Sequence, residues 1–307
     1  MKLIIPVESI IQNKGGVILY DPFENKILEQ YVHNKKWRRS GWRGGVQHKH
    51  YFITTDWQDL HYFNIKKWKY EASLSKNTFN DLHYLVINNH QLYIVNTGLD
   101  AIEIINDPLK LDGSVQIFVF DRISNMTKRN IDLDHDWSKE YKLRPHVAHP
   151  NCLAINHGCM FVTCFENETR GKKTGRVVEL NTGQTLLANH NCHDGIFYDT
   201  DFYLSGTREH QLYILCDIMS RKWPVEIDYK INIGKPGWWR GLVIFNNIAY
   251  IFASYAYGEN SSCKMAVIDI HEMKTIEIKT LPSHGGIQWD TIYQPQILEE
   301  ECLSTPI

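Results

Sequence analysis

The 307-residue sequence has no long apolar run, no cysteine pairs at metal-binding spacing and no surplus of charge of either sign. No stretch approaches the roughly 18 consecutive apolar residues of a membrane span, so no membrane partner is expected. Lys and Arg number 33 against 35 Asp and Glu, a net charge of -2. Binding to a nucleic-acid backbone needs an excess of cations, so no nucleic-acid partner is expected either. The opening Met1-Lys2-Leu3-Ile4-Ile5-Pro6-Val7-Glu8 turns polar too soon for a secretory signal, and a cytoplasmic location follows as an expectation. The seven cysteines, Cys152, Cys159, Cys164, Cys192, Cys216, Cys263 and Cys302, include no CxxC, and most lie in apolar runs. They read as free thiols rather than zinc ligands or disulfides. No phosphate loop, dinucleotide fingerprint or nucleophile elbow is present. Apolar residues alternate or cluster briefly instead of recurring at three and four, so no helix longer than two turns is expected.

What the sequence does contain is a repeat. Hydrophobic residues make up 43% and aromatics 12%, enough for a full core. Five segments share one grammar: a polar or Gly-containing opening, an apolar anchor, a polar turn, then an aromatic–aliphatic pair leading to Ser, Thr or Asn. Examples are His83-Tyr84-Leu85 leading to Tyr93-Ile94-Val95-Asn96, and His193-Asp194-Gly195-Ile196 leading to Tyr203-Leu204-Ser205. A sixth opening, His284-Gly285-Gly286-Ile287, has only Tyr293 after it before the chain runs out.

With Val46, Leu85, Leu153, Ile196, Leu242 and Ile287 as anchors, the intervals are 39, 68, 43, 46 and 45 residues. One four-stranded propeller blade occupies about 40 to 50 residues. The spacing predicts an all-β, six-bladed β-propeller as one domain over 1–307, with blades opening near 43, 83, 149, 193, 240 and 284. The long interval holds two expected loop insertions, Asp107 to Gly113 and Ser124 to Lys142. Strands at Leu3 to Val7, Gly16 to Tyr20 and Lys26 to Val32 are expected to join the last C-terminal strand in one blade, which closes the ring.

Leu82-His83-Tyr84-Leu85 with Val95-Asn96-Thr97, His149-Pro150-Asn151 with Phe161-Val162-Thr163, and Trp239-Arg240-Gly241-Leu242 resemble an uncharacterised bacterial family of propeller-like proteins. The similarity runs from about Asp81 onward. It implies the fold and no activity. A looser similarity reaches gluconolactonase-type six-bladed propellers, but their acidic calcium positions are not evident here.

The first strand of each blade lines the central channel, so the openings deliver Arg43, His83, His149, His193, Arg240 and His284 to one mouth. Imidazoles suit proton transfer near neutrality, and His83, His149, His193 and His284 are the candidate acid–base residues. Alternatively the same four histidines hold a divalent transition metal, Fe or Zn, as nitrogen ligands on separate strands can. Two guanidiniums repel a cation placed between them and suit a carboxylate or phosphate, so Arg43 and Arg240, with Trp239, are the candidate binding residues for an anionic small molecule. Trp42, Trp238 and Trp239 fit wedges between blades better than a ligand rim. Asp81 can share a face with His83 and support it. Asp194 and Cys192 are expected to point away from His193 by strand alternation. His48, His50 and His61 read as outer or inter-blade residues. The purely structural alternative is that the histidines satisfy backbone groups at tight turns. Two functions compete: a small-molecule enzyme acting at the axial mouth, and a non-catalytic propeller whose top face, including Ser254-Tyr255-Ala256-Tyr257-Gly258, binds a protein or glycan.

Overall fold

The computed structural model describes residues 1–9, 12–34, 41–110, 115–119, 135–139, 148–167, 173–234, 237–254, 263–289 and 291–298. Strands fall into six antiparallel sheets. Blade 1 runs Gly45–His48, Tyr51–Thr55, Asp59–Asn64 and Lys69–Ser75 from the axis outward. Blade 2 opens at Leu82–Asn88, blade 3 at Pro150–Asn156, blade 4 at Cys192–Tyr198 and blade 5 at Trp238–Phe245. These inner strands touch in cyclic order, and Gln296–Ile297 of blade 6 meets Gly45–His48 to complete the ring. Among the described residues no helix is long and apolar enough to cross a membrane.

Blade 6 is built from both ends of the chain. Leu3–Ser9 pairs with Lys14–Asp21, which pairs with Lys26–Asn34, and on its other side Leu3–Ser9 pairs with Thr291–Ile292 and Gln296–Ile297. The expected closure therefore holds, with a difference at the C-terminal side. The inner strand starts at Thr291, while His284 and Ile287 only bond each other's backbone in a turn.

Packing follows from the alternation within strands. Six large apolar clusters each join two neighbouring blades, one for every interface around the ring. Trp239 sits between blades 4 and 5 beside Leu212 and Ile251, and Trp42 sits between blades 6 and 1 beside Val17 and Phe63. A hydroxyl on or just after the second strand of blades 2 to 5 has a structural purpose. Thr97 Oγ1 donates to the Pro150 carbonyl, Thr163 Oγ1 to that of His193, Thr207 Oγ1 to that of Trp239, and Ser254 Oγ to that of Ile292. Each bond ties a second strand to the next blade's inner strand and satisfies a carbonyl that would otherwise be buried unpaired.

The six described cysteines are free, and Cys302 lies outside the described residues. The insertion expected between Ser124 and Lys142 also lies outside them, apart from 135–139 with its 3-10 turn Trp137–Lys139.

One buried carboxyl makes the fold sensitive to pH. Glu103, on the third strand of blade 2, is fully buried and accepts hydrogen bonds from Asn96 Nδ2 and Thr78 Oγ1. Burial outweighs those bonds and pushes its pKa up to about 7. A carboxyl with a raised folded-state pKa holds its proton more tightly in the native state. Its stabilisation is complete below the unfolded value, near 4.5, and is lost as pH rises through 7. The span corresponds to about 3 kcal/mol. Glu103→Gln keeps the shape and removes this slope. The variant should therefore exceed the parent in stability above pH 7, and the gap should shrink toward pH 5, in urea titrations at a series of pH values. Parallel curves for the two proteins would contradict the assignment.

Candidate active site at the axial mouth

Four consecutive inner strands carry a β-bulge at their opening, between Leu82 and Tyr84, Pro150 and Cys152, Cys192 and Gly195, and Arg240 and Val243. A bulge adds one residue against the partner strand and re-aims the side chains there. His83, Asn151 and the His193-Asp194 pair occupy these bulges. His149, just before its strand, has φ +45, a left-handed conformation outside strand alternation.

The result is a cluster of imidazoles. The His83 ring centroid lies 5.8 Å from that of His149 and 6.5 Å from that of His193. His83 Nδ1 stands 2.9 Å from the Asp81 carbonyl oxygen and 3.5 Å from Asp81 Oδ1. His193 Nδ1 stands 3.0 Å from Asp194 Oδ2. Both partners are acceptors, so each neutral ring carries its proton on Nδ1 and leaves Nε2 with a lone pair. Burial lowers the pKa of His83 well below the usual imidazole value, with Asp81 opposing and Arg43 and His149 reinforcing. Burial also lowers that of His193, opposed by Asp194 and aided by Arg240. Both rings are neutral bases at pH 7.

The His193-Asp194 contact corrects the strand-alternation expectation. The bulge places both side chains on one side, and Asp194 Oδ2 also accepts the Gly241 backbone N–H of the next blade at 2.9 Å. Cys192 packs in the apolar cluster between blades 3 and 4 and also borders the cavity that His193 lines.

These rings line a cavity of about 270 Å³ with Asn151, Phe165, Asn191, Cys192, Thr207, Arg208, Trp238 and Arg240. At about 30 Å³ per water it has room for roughly nine waters, the scale of a small molecule. Arg240 leaves its Nε without a hydrogen bond, and its guanidinium lies 5.8 Å from the Trp238 ring and 5.2 Å from that of Tyr293. Arg208, exposed, lies 5.1 Å over Phe165. Farther along the inner strands Gln294 crosses the channel. Its Oε1 accepts from the backbone N–H groups of Gly45 and Leu85, and its Nε2 donates to the Leu85 carbonyl.

Of the six residues expected at the mouth, His83, His149, His193 and Arg240 line this cavity. Arg43 does not. It is 7% exposed and paired with Asp81 at 2.7 Å, and its guanidinium lies 4.8 Å from the Trp57 ring and 5.4 Å from that of Tyr293. His284 does not line it either. Its turn lies beside the outermost strand of blade 6, where Gly285 leaves room for Gln30 Nε2. Blade 6 contributes Tyr293, whose ring lies 5.2 Å from the Arg240 guanidinium and 5.4 Å from that of Arg43. Trp239 is in the core with its indole N–H bonded to the Gly234 carbonyl, while Trp238, 47% exposed, forms the cavity wall.

Reading the sequence also missed Asn151, Phe165, Asn191, Thr207 and Arg208. Thr207-Arg208 directly follows a second strand, where Thr97-Gly98 stands in blade 2, so the repeat itself held that signal. Of the aromatic loop expected to form a contact surface, only Ser254 is described.

No protein-family model matches the sequence, and no curated protein matches it. Solved structures do. A chain of a nidogen/laminin complex is similar over 96% of this chain and 97% of its own, at 10% identity and a TM-score of 0.62. A luciferin-regenerating enzyme is similar over 80% and 78%, at 10% identity and a TM-score of 0.55. Apo AztD from Citrobacter koseri is similar over 96% and 97%, at 10% identity and a TM-score of 0.53. At such identities the likeness shows the fold alone: the protein is an all-β, six-bladed β-propeller.

Proposed function

We propose that the axial cavity is the active site of an enzyme that binds a small anionic molecule and acts on it by proton transfer. The observation that carries this reading is the pairing of two neutral imidazoles, each with Nε2 bare, with Arg240 on the wall of one cavity. His193, oriented by Asp194, is the proton acceptor. His83, held by Asp81, is its partner, and His149 completes the polar wall. Arg240 and Arg208 receive the carboxylate or phosphate, because a guanidinium meets either through two parallel hydrogen bonds. Trp238 and Phe165 cover the apolar part.

The fold does not choose between enzyme and binding module, since its structural neighbours include an enzyme and a chain in a protein complex. The histidine–carboxylate contacts favour chemistry, because orienting a bare Nε2 is what a general base requires. The imidazoles alone are a weaker case for an axial metal. Among the described residues they do not form a group of three ligand atoms within 4.8 Å.

The test is a panel of small carboxylates and phosphate esters read by calorimetry. At least one should bind, and Arg240→Ala should weaken it by about ten- to a hundredfold, since a hydrogen bond to a charged group contributes about 1.5–3 kcal/mol. His193→Ala should abolish turnover of that ligand class while leaving the melting temperature near the parent's. A panel without binding, or binding that ignores Arg240, would sink the proposal.

A further inference from the structure

A second constellation stands away from the axial cavity, in the turn that joins the second and third strands of blade 1 and at the start of the third. Asp56, Asp59 and His61 each offer a ligand atom, and the three atoms lie within 4.8 Å of one another. Their other contacts show what the fold has left over. Asp56 Oδ1 accepts the backbone N–H groups of Gln58 and Asp59, both at 2.8 Å, which leaves Oδ2 toward His61. Asp59 Oδ1 accepts from Ser75 Oγ. Each carboxylate therefore spends one oxygen on structure and keeps the other.

His61 supplies the independent sign of a missing ligand. It is 4% exposed, and neither ring nitrogen makes a hydrogen bond. Its Nε2 stands 3.1 Å from Asp56 Oδ2, close enough for a hydrogen bond but not aligned for one. The ring is clamped in place by Trp42, stacked at 5.0 Å and 17°. Apart from that contact the buried imidazole has no polar partner, and its lost hydration is poorly compensated. A cation off the line between Nε2 and Oδ2 would engage both. Asp59 is half-buried and gives the site its opening to solvent.

We propose that Asp56, Asp59 and His61 form a binding site for a divalent transition metal. Two carboxylates and one imidazole suit Mn²⁺, Fe²⁺ or Zn²⁺ better than an all-oxygen ion such as Mg²⁺ or Ca²⁺. Water completes the coordination on the open side. The site is independent of the axial reading, since none of its ligands lines that cavity.

The test is equilibrium dialysis of chelator-treated protein with Mn²⁺, Zn²⁺ and Co²⁺ in turn, with the visible absorption of bound Co²⁺ as a second readout. One equivalent of metal should bind. Asp59→Asn, which keeps the acceptor for Ser75, should weaken binding at least tenfold, and His61→Ala should abolish it. The double variant His149→Ala/His193→Ala should bind as the parent does. If His61→Ala does not fold, Asp59→Asn decides alone. No stoichiometric metal, binding unchanged in Asp59→Asn, or loss of binding in the axial double variant would each overturn the proposal. Their meaning for the axial site is separate, because anion binding there is measured without metal.

Discussion

Removing residues 1–34 is expected to leave no soluble monomer. Those residues supply three strands of blade 6, against which Thr291–Ile292 and Gln296–Ile297 pair. They also bury nine large apolar side chains: Leu3, Ile4, Ile5, Val7, Val17, Ile18, Leu19, Tyr20 and Ile27. At about 1.5–3 kcal/mol for each, the loss is on the order of 13–27 kcal/mol, at or above the whole margin of about 5–15 kcal/mol that keeps a domain folded. The damage reaches both neighbours. Trp289, Phe252 and Met265 lose their cover on the blade 5 side, and Trp42 and Phe52 lose theirs on the blade 1 side. The short strands left at 291–297 would become an unpaired edge, which invites aggregation. Sedimentation of a 35–307 fragment checks this, and co-expression of 1–34 as a separate chain should restore solubility. A monomeric fragment with the parent's melting temperature would show that the ring does not depend on its closure.

The count of blades was legible because it rests on spacing, which loops perturb but do not erase. The interval from Leu85 to Leu153 stretched to 68 residues without hiding the repeat on either side. Closure was legible too, since the C-terminal blade lacked strands and the N-terminus had them to give. What alternation could not show was the bulge. A single extra residue turns every side chain beyond it to the other face. Asp194 was therefore expected opposite His193, and the structure joins them at 3.0 Å. His284 failed for a different reason: its Gly-Gly turn copies the grammar of a blade opening, but the strand begins seven residues later, at Thr291. The proposed metal-ligand group Asp56, Asp59 and His61 had no sequence signal stronger than a turn, because Asp56 caps that turn's amides and Asp59 begins the strand after it.

Asp81→Asn is expected to destabilise the protein by about 3–5 kcal/mol, as removing one partner of a buried ion pair does. Asp81 is 2% exposed and lies 2.7 Å from the Arg43 guanidinium, itself almost fully buried. Burial alone would favour loss of the Arg43 proton, but Tyr293, Asp81 and Glu8 hold its pKa above the usual guanidinium value. The guanidinium therefore cannot escape by deprotonation when Asp81 is neutralised. Asparagine is the informative replacement. The backbone at residue 81 has φ +56, a left-handed conformation that Asn tolerates and Ala does not, so the loss measures charge and not strain. The Asp81 carbonyl still accepts from His83 Nδ1, so the axial tautomer should survive. The His83 ring should become harder still to protonate, because the Asp81 carboxylate is what raises its pKa against burial. Adding Arg43→Met should recover most of the lost stability, and the four proteins form a cycle whose coupling term isolates the pair. Urea denaturation supplies the energies and imidazole NMR the titration. A loss below about 1 kcal/mol in the single variant would mean that the pair behaves as an exposed surface pair does, worth about 0–1 kcal/mol.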